Sequence, residues 1–366
     1  MKFTLLILII AVGLLSPVGT SAVLADGVTK IVSLDASAGE NPEALAVDAD
    51  GNIYFGLAFT GEIRKLTPAG EITTYAKLPS PGSGFMLGMI FDDAGDLFVG
   101  MGSFDPETHG IWRVSPDGEA ELFASLPVEG LPNVIELDEQ GNMYVTDTPR
   151  GGIWKIDSTG NVSDWLNDDL LLGVFPTGLP GLLGFPIGAN GIVFDATFEN
   201  LYVAVTEFGR LVKIPVNEDG SAGVPEVFIE QTDLLLGLDG IVFGPDGNIY
   251  AAIVIQNRII SISPSGGIKV IAQGGDLQNP SDVKFGIGAD SNTLYIANFA
   301  ILRTLGLAPG DPEPAILKTT VNFGAGLPSV GDTAVPVAMK GMLVLGLIFA
   351  AAGVAMLVRR KLVATA

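Results

Sequence analysis

The stretch ALAVDADGNIYFG, residues Ala44–Gly56, followed by GEIRKLTPAGEITTYA from Gly61 to Ala76, decides the fold. Two short runs rich in β-formers flank Asp-Gly-Asn, and two more flank Pro-Ala-Gly, where glycine supplies the positive φ that a tight hairpin needs. The turns are too short to hold a helix, and no segment between them carries helical periodicity. The unit therefore reads as four antiparallel strands.

The unit recurs. GMIFDDAGDLFVG from Gly88 is followed by GIWRVSPDGEAELFA, VIELDEQGNMYVT from Val134 by GIWKIDSTGNVSDWL, and GIVFGPDGNIYAA from Gly240 by IISISPSGGIKVIA. GIVFDATFENLYVAV opens another copy at Gly191, and DVKFGIGADSNTLYIAN from Asp282 begins an incomplete sixth. Four strands per unit of roughly 40 to 50 residues describe a propeller blade. The sequence predicts an all-β chain, a six-bladed β-propeller over residues 26–305 with a linker over 306–334. Closing the ring removes exposed sheet edges. The spare strand VTKIVSLD, Val28–Asp35, is expected to pair into blade six, with PAILKTTV from Pro314 as the alternative closing strand.

Outside the repeat, both ends are apolar. Residues 1–25 carry Lys2, an apolar run from Phe3 to Leu15, Pro17 and small residues near Ala22 and Ala25, the pattern of a secretory signal peptide. Gly341–Val358 holds no charge and is followed by Arg359, Arg360 and Lys361. At about 1.5 Å per residue such a run nearly crosses a bilayer core of roughly 30 Å. Residues 335–361 are thus expected to form a single transmembrane anchor or sorting tail, with the basic end cytoplasmic and the propeller on the extracytoplasmic face. The tail resembles C-terminal sorting signals of the PEP-CTERM type, although the DPEP at Asp311–Pro314 lies far upstream of the apolar run.

Composition narrows the partners. A formal charge of -22, from 41 acidic against 19 basic residues, repels a phosphate backbone, so no nucleic-acid partner is expected. The absence of cysteine excludes a thiol nucleophile, a zinc ribbon and a disulfide framework.

Aligning the copies brings one position into register, the residue before each innermost strand: Glu43, Leu87, Asn133, Asn190, Asp239 and Ser281. In a propeller these positions ring the mouth of the central channel. The carboxylates of Glu43 and Asp239 and the amide oxygens of Asn133 and Asn190 would form an oxygen-rich, dianionic set suited to a hard divalent cation, Ca²⁺ above all. His109, the only histidine, lies in GSFDPETHGIW on a connection opening on the same face, and is a candidate proton shuttle. Asp147 and Glu207 occupy the corresponding connections of blades three and four.

These blades and NPEALAVD, LPNVIELD, GANGIVFD and GLDGIVFGPDGNIYAA resemble the gluconolactonase and senescence-marker-protein family and, more distantly, paraoxonase and strictosidine-synthase-like propellers. The resemblance spans roughly residues 28–305. It implies a catalytic cation held by Glu43, Asn133, Asn190 and Asp239, hydrolysis of a lactone or ester, and Asp239 as the base that activates water. Two departures stand out: Gly240 follows Asp239 where paraoxonases carry a further Asn ligand, and their paired histidines have no counterpart.

The apolar, Gly- and Pro-punctuated segment Leu170–Gly188 enters blade four on the same face. It is expected either to act as a lid favouring a hydrophobic acyl chain or to plug the channel. The competing account is a non-catalytic extracytoplasmic propeller that recognises a partner or glycan, with a structural cation or none.

Overall fold

A computed structural model describes residues 27–173 and 186–323. The signal-peptide segment, the C-terminal apolar run and residues 174–185 of the apolar insertion lie outside the described residues. Among the described residues no helix is long and apolar enough to cross a membrane.

Six four-stranded antiparallel sheets form the predicted propeller. Their innermost strands are Pro42–Val47, Phe85–Phe91, Pro132–Leu137, Ala189–Phe194, Leu238–Phe243 and Pro280–Phe285. The Asp-Gly-Asn hairpins lie at the far end of the inner strands, and side chains of their own close them. Asp48 Oδ1 accepts from the Asp50 and Asn52 amides, and Asn52 Nδ2 returns a bond to Asp48 Oδ2 at 2.7 Å. Gly51, at φ 80°, makes the turn that a β-carbon would strain.

Blade six is where the structure departs from expectation. Its order from the outside is Thr29–Ser33, Ala315–Thr320, Thr293–Asn298, Pro280–Phe285. Both candidate closing strands are used, the C-terminal one third and the N-terminal one outermost, with Thr29 opposite Lys318 and Ser33 opposite Ala315. The strands of the propeller therefore run to Thr320, past the boundary at 305 and into the span assigned to the linker. The physical reason is that Thr293–Asn298 would otherwise present an unpaired edge. The run AILKTT supplies its partner, with Ala315, Ile316 and Leu317 fully buried.

The blades are joined by aromatic contacts at repeated positions. A tyrosine on the second strand of one blade meets a phenylalanine ending the next blade's inner strand: Tyr54 with Phe91 at 4.8 Å, Tyr144 with Phe194 at 5.1 Å, Tyr202 with Phe243 at 5.5 Å and Tyr250 with Phe285 at 5.0 Å. All four meet edge-on, the arrangement in which ring quadrupoles attract.

Candidate metal centre at the channel mouth

The aligned positions do not precede the inner strands; they lie inside them, at a break in register. In every blade the pairing of first and second strands shifts across this residue, as between Pro42 and Ala44, Ala189 and Ile192, and Leu238 and Ile241. The other three blades shift at Met86/Met89, Pro132/Ile135 and Pro280/Asp282. A β-bulge re-aims the side chain it carries, and six equivalent bulges give Glu43, Asn133, Asn190 and Asp239 equivalent placements around one axis. All four are between 5 and 7% exposed. Leu87, at the same position in blade two, gives the ring one apolar member.

Close packing between blades fixes this ring. A β-carbon on Gly191 would stand 2.2 Å from the Asp239 carbonyl oxygen, and one on Gly88 would stand 2.6 Å from that of Asn133. Side-chain hydroxyls also bridge neighbouring blades: Thr146 donates to the Asn190 carbonyl at 2.7 Å, Thr206 to that of Leu238 at 2.8 Å and Ser281 to that of Glu43 at 2.7 Å.

The two asparagines are held alike. Asn133 Nδ2 donates to Thr148 Oγ1 at 2.9 Å, and Asn190 Nδ2 donates to Thr206 Oγ1 at 3.1 Å. With each nitrogen so turned, Asn133 Oδ1 and Asn190 Oδ1 are buried without a hydrogen-bond partner. A buried, unpaired amide oxygen costs about 1–3 kcal/mol. Two at equivalent positions are an arrangement that a bound cation would relieve.

The carboxylates make the same case electrostatically. Burial first, then the charges of Asp239 and Asp282, push Glu43 well above the ordinary carboxylate range, and Lys284 pulls it partly back. Asp239 is raised by burial and by Asp282, against a side-chain hydrogen bond from Asn190 that favours its charged form. Acids crowded out of water repel one another, and a divalent cation between them reverses that penalty. Among the described residues no group of three or more His, Cys, Asp and Glu side chains could hold a metal by itself. The donor set that fits is mixed: two carboxylates and two amide oxygens, the hard-oxygen chemistry of Ca²⁺.

Asp282 is the member sequence reasoning missed. Its Oδ2 accepts from the Leu45 amide at 2.9 Å and its Oδ1 from the Val283 amide at 2.8 Å, which ties blade six to blade one beside Glu43. The same carboxylate accounts for Gly240, where a β-carbon would stand 2.5 Å from Asp282 Oδ1. The space that a larger residue after Asp239 would need is taken by the neighbouring blade. The signal was a polar residue one place late: blade six reads Ser-Asp where blades four and five read Asn-Gly and Asp-Gly.

His109, the candidate proton shuttle, is enclosed in its own connection. It is fully buried, and its Nδ1 accepts from the Phe104 amide at 3.2 Å. Burial lowers its pKa, opposed by Asp147, Glu129 and a backbone hydrogen bond with Pro127. Asp147 accepts from the Leu131 amide at 3.0 Å and from Trp154 Nε1 at 2.9 Å. Glu207 is buried beside Gly173, whose β-carbon would stand 2.7 Å from its Oε2. Of the apolar insertion, Leu171 is buried in the core of blades three and four.

Comparison with known proteins agrees with this architecture. Residues 186–299 match the family model described as SMP-30/Gluconolactonase/LRE-like region, and residues 28–65 match that of the strictosidine synthase-like N-terminal region. The chain is 27% identical over 240 residues to the lactonase drp35 of Staphylococcus epidermidis, covering 61% of this chain and 66% of the relative, just under two thirds of its length. Among solved structures, a gluconolactonase from Xanthomonas campestris superposes with TM-score 0.58 at 14% identity, covering 82% of this chain and 91% of the other. The calcium-binding protein regucalcin from Agrobacterium tumefaciens superposes with TM-score 0.57 at 18% identity, covering 82% and 94%. At these identities the solved structures speak for the fold. The chain carries a gluconolactonase-like region within a six-bladed propeller.

Proposed function

We propose that this protein hydrolyses a lactone or ester at the channel mouth, using a divalent cation, Ca²⁺ first, held by Glu43, Asn133, Asn190 and Asp239. The observation that carries the reading is the pair of buried, unpartnered amide oxygens, Asn133 Oδ1 and Asn190 Oδ1, beside two carboxylates forced close in a dry site. The lactonase and gluconolactonase relatives support the substrate class, and the calcium-binding neighbour supports the metal.

A cation bound there would polarise the substrate carbonyl and stabilise the oxyanion that forms on it. The protein's own part is positional and acid–base. Asn133 and Asn190 orient their oxygens through Thr148 and Thr206. Asp239 is the group proposed to take a proton from the attacking water; burial and Asp282 raise it against the bond from Asn190, and a bound cation would favour its charged form. Leu87 offers an apolar contact at the mouth, which supports a substrate with a hydrophobic portion.

We read the propeller as exported and held at the extracytoplasmic face, on the strength of the terminal sequences alone. Turnover of a lactone and ester panel, with and without a chelator, tests the activity. A metal-dependent hydrolase loses turnover on chelation and regains it with Ca²⁺, whereas a binding propeller shows no turnover in either state.

A further inference from the structure

The six innermost strands carry five charged side chains among the described residues: Glu43, Glu136, Asp239, Asp282 and Lys284. Four are carboxylates and one is an ammonium. The proposed chemistry uses neither Lys284 nor Glu136.

Their placement is specific. Glu136 follows Asn133 by three residues and Lys284 follows Ser281 by three, so they stand at the same level of the inner strands, Glu136 opposite Tyr144 and Lys284 opposite Tyr295 in register. The inner strands contact one another in sequence around the ring, which sets blade three opposite blade six. The other four residues at this level are Ala46, Ile90, Val193 and Val242, all apolar. Glu136 is thus a half-buried carboxylate whose neighbours at this level are apolar, and Lys284 is the charged side chain that acts on it. The same ammonium lies 3.3 Å from Asp282 Oδ1 and acts on Glu43 at the mouth.

We propose that Lys284 is the resident counter-cation of the channel, a positioning residue that offsets the charge of Glu136 across the axis and of Asp282 on its own strand. Without Lys284 the protonated form of Glu136 would be favoured further, since burial penalises its charge and no other cation among the described residues acts on it. Burial raises Glu136 to about 7 even with the lysine in place. Without Lys284, Asp282 would also lose the ammonium on its Oδ1, and the carboxylate that fixes Leu45 beside Glu43 would be left with backbone donors only. This inference concerns charge inside the channel and stands whether or not the mouth binds a metal.

A double-mutant cycle read against pH tests it. Urea unfolding of the full chain in chelator would be followed from about pH 5 to about pH 9 for the wild type, E136Q, K284M and E136Q/K284M. If Lys284 neutralises Glu136, the two substitutions are coupled only where Glu136 is ionised. At about pH 8.5 the cost of K284M falls by about tenfold in the unfolding equilibrium when Glu136 is already Gln, the equivalent of one pKa unit. At about pH 5 the substitutions add. Coupling that is absent throughout, or equal at both ends of the range, overturns the proposal. Should K284M alone not fold, recovery of folding in E136Q/K284M supports it, and failure of both while K284R and E136Q fold overturns it in favour of a packing role.

Discussion

The Ser281 hydroxyl donates to the Glu43 carbonyl at 2.7 Å, across the seam where the last blade meets the first. That bond joins a residue of the closing blade to the backbone of a proposed ligand, so ring closure and site geometry are one problem. Ser281→Ala leaves a buried carbonyl without this donor and is expected to cost about 1–3 kcal/mol in chelator. Calcium affinity should fall as well, because Glu43 is no longer held in place. Denaturation midpoints and calorimetric affinities of the same variant would check both.

Closure also predicts how the chain tolerates truncation. A protein ending at residue 305 lacks Ala315–Thr320, leaving Thr293–Asn298 without a partner and Thr29–Ser33 with nothing to pair against. It should lose cooperative unfolding, whereas one ending after Phe323 should keep it. Calorimetric melting curves of the two separate these outcomes.

His109 gives a pH signature away from the site. Its folded pKa is lowered by burial below the ordinary 6.5, so in acid the unfolded state binds a proton that the folded state resists. The histidine's contribution is therefore complete above about pH 6.5 and is lost as pH falls through and below that value. His109→Gln should flatten this acid limb while leaving turnover at neutral pH unchanged. A large fall in turnover with stability preserved would restore His109 as a proton shuttle.

Asn190 separates cation binding from folding. Its Oδ1 is buried and unsatisfied, so Asn190→Ala removes a penalty along with the bonds to Thr206 and Asp239, and stability in chelator should change by no more than about 1–2 kcal/mol. The stabilisation that Ca²⁺ gives the wild type, about 2.7 kcal/mol at a hundredfold excess over Kd, should disappear. Thermal melts with and without Ca²⁺ read both effects.

The blade count was legible because each hairpin repeats its own turn chemistry, Asp48-x-x-Gly51-Asn52 being one of several copies. The candidate ligand positions could be aligned because the bulge falls at the same place in every copy. Other features depend on contacts between distant segments. Nothing local in AILKTT says that it lies between two strands of blade six instead of trailing away. Burial brings the histidine under the influence of Asp147 from blade three, which its own loop does not announce. Asp282 was hidden because it acts on the next blade, through Leu45, at the one seam where the repeats are not consecutive.

The measurement that bears most directly on the central claim is calorimetric titration of Ca²⁺ into the wild type and into an Asn190→Ala/Asp239→Ala variant, followed by lactone and ester hydrolysis on the same samples. The account predicts one saturable site in the wild type, its loss in the variant, and hydrolysis that follows occupancy. A wild type that binds no Ca²⁺, or a variant that binds and hydrolyses as the wild type does, would contradict it.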